Sequence, residues 1–176
     1  MTENKGYLQR YAMLSGTYLG GFWILKFILF PLGVTVPFFI FLFIGLTLCV
    51  PFVAYYYVRA YRNHVCNGSI GFLHAWIFTV FMYMFAALLA SVAHYIYFRF
   101  VDQGFILNAY ENLLNTFTDK TLPDMDKYID SLKESLNVLR SLSPIDITMQ
   151  LISKNVFYGT LLAIPTALMI STVNRK

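Results

Sequence analysis

Between residues 63 and 98 the chain runs thirty-six positions without one Asp, Glu, Lys or Arg, and apolar stretches of the same kind stand before and after it. A helix rises about 1.5 Å per residue and the hydrocarbon core of a bilayer is about 30 Å thick, so roughly 20 apolar residues suffice to cross. This pattern predicts a chain whose solvent is lipid. With 58% hydrophobic and only 12% charged residues in 176, the charge content is half the roughly 25% of an ordinary soluble domain. The fold class expected is all-α: a polytopic membrane protein with four transmembrane helices and a helical extramembrane segment between the third and fourth.

The spans are expected at about 12–30, 36–58, 70–98 and 149–172, making residues 1–176 one membrane domain with an amphipathic insertion at 99–148. The first should end at Pro31-Leu32-Gly33, where proline and glycine punctuate a helix. Pro165 should kink the fourth, a feature that bundles tolerate. The N-terminal segment carries Glu3, Lys5 and Arg10 and lacks a small-residue cleavage site, so the first span reads as retained, not as a removed signal peptide.

Four spans place both termini on the side of the 59–69 loop. That side collects Lys5, Arg10, Arg59, Arg62, Arg175 and Lys176 against the single acid Glu3, while acids outnumber bases over 99–148. The excess of Lys and Arg near span ends predicts that both termini are cytoplasmic. Juxtamembrane placement also accounts for the net charge of +4. The thirteen Lys and Arg residues form no tract suited to a phosphate backbone, which argues against nucleic acid.

Tyr55, Tyr56, Tyr57 and Tyr61 stand beside Arg59 and Arg62, and Tyr95, Tyr97, Phe98 and Phe100 beside Arg99, as interfacial belts do. The first cluster, with Tyr57, Tyr61, Arg59 and Arg62, is a candidate contact for anionic lipid or a partner, since arginine offers a forked donor to phosphate. An ordinary belt explains it without a ligand. Lys26 is the costliest residue in the chain, because a cation in hydrocarbon costs a few kcal/mol on insertion scales. Its bland reading is snorkelling to the nearer interface; its functional reading is a place in the bundle, paired with an acid such as Asp102 or with a lipid headgroup.

Over 99–148, Phe105, Leu107, Tyr110, Leu113, Leu114 and Phe117 recur at helical spacings, as though the third span continued past the bilayer with a bend at Gly104. A break at 119–124 follows. Met125, Ile129, Leu132, Leu136, Leu139 and Leu142 then form a stripe at steps of three or four, with an acid-rich opposite face. The expectation is a two-helix cap, with Ile129, Leu132 and Leu136 as the alternative surface for docking a partner or lying on the membrane. Ser143-Pro144-Ile145-Asp146 matches a helix start, with a serine cap, a proline in the first turn and an acid three residues on.

No catalytic constellation is expected. His74 and His94 lie roughly 30 Å apart on one helix and cannot share a metal ion; each should bond a neighbouring hydroxyl or water. Cys49 and Cys66 sit in different environments, and His64-x-Cys66 lacks the second half of a zinc site, so no metal and no cofactor is expected. There is no Gly-x-Ser-x-Gly, no His-Glu-x-x-His and no paired intramembrane acid. Gly16 and Gly20, Ala86, Ala87, Ala90 and Ser91, and Gly159 and Ala163 stand at helix-packing intervals.

The order of short basic N-terminus, tight hairpin, the run Tyr55-Tyr56-Tyr57-Val58-Arg59-Ala60-Tyr61-Arg62, long third span, amphipathic segment and final span resembles a bacterial family of small four-span inner-membrane proteins catalogued only as a domain of unknown function, common in Bacteroidetes-type genomes. The resemblance implies no catalytic residues. It implies an accessory role beside membrane-associated glycosyltransferases, in envelope or polyprenyl-linked sugar metabolism. Tetraspanins share the small and large loops, but residues 99–148 contain no cysteine. The function expected is therefore a non-enzymatic inner-membrane accessory or scaffold protein, in contact with membrane lipids and a partner such as a glycosyltransferase; the alternative is a small transporter or lipid-binding protein holding an anionic amphiphile between its helices.

Overall fold

A computed structural model describes residues 3–118 and 126–172 of the chain. The break expected at 119–124, Met125, Arg175 and Lys176, and the side chains of Glu3, Lys5, Phe117, Asp126 and Lys127 lie outside the described residues. The described residues form helices and no strand: α1 (Glu3–Thr35), α2 (Phe38–His64), α3 (Phe72–Ile96), a π-helical turn (Tyr97–Val101), α4 (Phe105–Thr118), α5 (Asp126–Ser141) and α6 (Pro144–Thr172). α1, α2, α3 with its π turn, and α6 are long and apolar enough to cross a membrane. Their outer faces carry Phe41 and Phe52 at 73% and 74% exposure. In water such surface opposes folding; in lipid it is ordinary.

The chain divides into two compact units, residues 1–93 with 151–176 and residues 94–150. In the first, α3 is the central strut. Ala75, Phe78, Thr79, Met82, Tyr83, Ala86, Ala87 and Ala90 are all buried, and their alternation of three and one is the stripe of a helix covered on a broad face. Small residues bring the neighbours close. A Cβ at Gly16 of α1 would stand 2.7 Å from the Met82 carbonyl oxygen and from Phe85 Cβ, and one at Gly159 of α6 would stand 2.8 Å from Tyr83 Cβ and Cγ. Lipid tails are as apolar as leucine, so close approach of this kind is what holds membrane helices together. The small residues singled out in the sequence thus serve packing within the chain.

The first hairpin differs from expectation. α1 continues through Pro31, and the chain turns at Val36 and Pro37 instead. An interrupted ladder inside a bilayer leaves polar backbone groups without water, which favours keeping the helix despite one missing N–H. Pro37, with φ of −55°, starts α2 in helical geometry, and the residue before a proline is biased away from the helical region. α2 also runs past the expected residue 58 to His64, carrying Pro51 within it.

The second unit opens where α3 loses its register. The Asp102 amide donates to the Tyr97 carbonyl at 2.9 Å, five residues back, which is the π-helical bond. Gln103 and Gly104 then take φ of 43° and 84°. α4 is consequently a new helix and not the continuation of the third span. The Asp102 carboxylate, 7% exposed, accepts from the amides of Gly104 and Ile106, each at 3.1 Å, and from the Tyr97 hydroxyl at 3.3 Å. Those amides are the orphan donors of a helix start. α4 and α5 pack on each other, with Arg140 of α5 donating to Glu111 at 2.7 Å and Asn108 at 2.8 Å on α4. The helix start expected at Ser143 is present: the Ser143 amide donates to Asp146 Oδ2 at 3.1 Å and the Asp146 amide to Ser143 Oγ at 3.3 Å, a reciprocal capping box.

Candidate functional site

The Tyr/Arg cluster at the end of α2 separates into residues that face inward and residues that face out. Tyr61 is 2% exposed; its ring lies parallel to that of Phe78, with centroids 4.0 Å apart, and meets Tyr11 at 5.9 Å. Its hydroxyl is hydrogen-bonded to His74 Nε2 at 3.0 Å, the neighbouring hydroxyl that a histidine near a span end is expected to find. Arg62 is also internal. It is 4% exposed, and Nη1 donates to the Ile170 carbonyl at 3.2 Å while Nε donates to Asn63 Oδ1 at 3.2 Å. Ile170 lies in the last turn of α6, whose carbonyls lack intrahelical donors and carry the negative end of the helix dipole, so a cation there is stabilising. Tyr61 and Arg62, candidate contacts for lipid or partner in the sequence, are both buried and hydrogen-bonded within the chain. Arg59 is exposed, and Tyr57, half-buried, lies parallel to Tyr18 with centroids 6.2 Å apart.

Beside this end, α2 closes on a left-handed pair, Asn67 and Gly68, with φ of 51° and 87°. Burial pushes the Cys66 thiol above its ordinary value, and a hydrogen bond from Tyr61 offsets part of the rise. An apolar groove of about 830 Å³ lies between the N-terminal part of α1 and the start of α3, lined by Leu8, Gln9, Phe72, His74, Ile77 and Phe81.

Lys26 occupies the other half of the unit. Its Nζ lies 5.9 Å from the ring centroid of Trp23, one turn back on α1, and 5.4 Å from that of Phe43 on α2. Both distances fall within cation–π range, worth about 0.5–2 kcal/mol. No hydrogen bond or ion pair of Lys26 occurs among the described residues. Asp102, weighed as its partner, has its carboxylate engaged at the start of α4. Two donors missed in the sequence reading accompany Lys26. Trp23, 8% exposed, stacks on Tyr83, 1% exposed, with centroids 5.9 Å apart. Neither the Trp23 indole nitrogen nor the Tyr83 hydroxyl has a hydrogen-bond partner among the described residues. Burying such a donor without an acceptor costs about 1–3 kcal/mol.

On α5 the apolar stripe divides. Ile129 is 4% exposed and Leu136 half-buried, whereas Leu132 is 52% exposed, as is Leu113 of α4 at 51%. The two-helix cap therefore covers part of its stripe and leaves an apolar strip outside. Among the described residues no three His, Cys, Asp or Glu side chains gather as metal ligands do.

No curated protein and no solved structure matches the chain. The model of the family described as protein of unknown function (DUF4199) matches residues 14–172, a stretch that reaches from the early part of α1 to the end of α6 and takes in all four membrane helices. The chain belongs to that family.

Proposed function

We propose that the protein is a non-enzymatic accessory or scaffold subunit of a bacterial inner-membrane assembly, both termini cytoplasmic, that supports envelope or polyprenyl-linked glycosyltransferase machinery. The observation that carries this reading is the α4–α5 hairpin, which keeps Leu113 and Leu132 about half exposed on a segment outside the membrane helices. Apolar strips on otherwise polar helices are docking surfaces. The buried polar groups support it too: Arg62, Asp102, His74 and Tyr61 bond neighbouring helices or cap helix ends. The test is affinity purification of the full chain from its own membranes in mild detergents. A partner retained by the wild type and lost from Leu132→Asp is the expected result; recovery of the chain alone under several gentle conditions refutes the reading.

A second reading has an observation in its favour. The 830 Å³ groove beside His74 is apolar and of the size that binds small ligands, which suits a protein that holds the tail of an anionic amphiphile. Native mass spectrometry with no retained lipid removes that reading.

A further inference from the structure

Lys26 stands ten residues before the turn at Val36 and sixteen after Arg10, about 15 Å and 24 Å along α1 from the two nearest exits to water. A four-carbon stem does not recover 15 Å, and the ammonium is held against Trp23 and Phe43. Cation–π contact returns part of the cost of a charge in hydrocarbon and leaves its hydrogen bonds unmade. An ammonium with no hydrogen bond or ion pair among the described residues, ten residues inside the end of α1, calls for an anion that enters the membrane on a helix.

That anion does not come from this chain or a second copy of it. All nine acids lie at Glu3, at Asp146 or between residues 102 and 134, so none falls within the interior of a membrane helix. We infer that Lys26 is an intramembrane docking point for a different membrane protein, one whose helix carries a buried Asp or Glu at that depth. Lys26 is half-buried, and Leu25 and Ile28 beside it are 56% and 50% exposed, so a helix reaches it from the lipid side. The inference rests on the accessory reading and supplies the chemistry of the partner.

The test uses the full chain in phosphatidylcholine vesicles and a fluorescent polyleucine membrane peptide with one central Glu, compared with the same peptide bearing Gln, followed by energy transfer. The Glu peptide should bind roughly fivefold more tightly, in the range of intramembrane polar pairs. Lys26→Arg should keep that preference and Lys26→Gln should remove it. Equal binding of the two peptides by the wild type overturns the inference without any variant. A preference that survives in Lys26→Gln overturns it, as does one abolished by added phosphatidylglycerol, which identifies a lipid anion as occupant. A chain that co-purifies with a Leu132-dependent partner yet shows no Glu preference refutes the site and leaves the accessory reading standing; a Glu preference in a chain always recovered alone does the reverse.

Discussion

Replacing Gly16 by Ala sets two effects of opposite sign against each other on α1. The added methyl raises helix propensity by about 1 kcal/mol at most, and less in a bilayer where the denatured chain keeps its helices. Against this, the new Cβ stands 2.7 Å from the Met82 carbonyl oxygen, 2.7 Å from Phe85 Cβ and 3.3 Å from the Ala86 amide nitrogen. None of these atoms is the far end of a flexible side chain, so α1 and α3 must move apart. Overpacking costs typically 1–3 kcal/mol; with two rigid contacts the upper half applies, and the net is a loss of about 2 kcal/mol. Gly21, on the same helix, has nothing within 4 Å of its Cβ position, so Gly21→Ala should be neutral or stabilising by up to about 1 kcal/mol. Sodium dodecyl sulfate titration in mixed micelles, read by tryptophan fluorescence, measures both. The expected separation is about 2–3 kcal/mol, and two variants within about 0.5 kcal/mol of each other would refute the α1–α3 packing.

Arg62→Met should lose about 1.5–3 kcal/mol, the range for a hydrogen bond to a charged group, with faster amide exchange in the last turn of α6. Asp102→Ala leaves the Gly104 and Ile106 amides without an acceptor and should cost about 1–2 kcal/mol, read as lost exchange protection at those two amides. The Cys66 thiol, raised by burial, should be less ionised than a free cysteine at any given pH and alkylate more slowly. Its folded form favours the proton, so stability contributed below the unfolded thiol's titration is lost as pH rises through the folded value; Tyr61→Phe, which removes the offsetting hydrogen bond, should move the alkylation midpoint higher. With Cys49 replaced by Ala, an impermeant maleimide should reach Asn137→Cys in intact cells and native Cys66 only after permeabilisation; labelling of both together sinks the proposed orientation.

What was legible in the sequence was what repeats along it. Long apolar runs gave the four spans, the stripe from Ile129 to Leu142 gave α5, and Ser143 with Asp146 gave the start of α6 because a capping box is local. What depends on a neighbour was not legible. Tyr57 and Tyr61 are the same residue type four positions apart, yet Phe78 and His74 bury one while the other meets Tyr18. Arg62 reads as a lipid contact until its acceptor, 108 residues away, is known. Trp23 and Tyr83 escaped notice because aromatic residues are common in every span, and an unpartnered donor is visible only once its surroundings are. Pro31 and Pro37 carry equal breaking power in sequence; the continuous helical ladder in lipid placed the turn at the second.

The Arg62 bond also orders events during synthesis. Its donor enters the bilayer with the second helix, whereas the Ile170 carbonyl lies 108 residues further along, on the fourth membrane helix. Until the fourth membrane helix follows it, the nascent hairpin therefore lacks the α6 carbonyl that this guanidinium meets in the folded chain. A polypeptide truncated before that turn would keep its greasy segments but lack the latch.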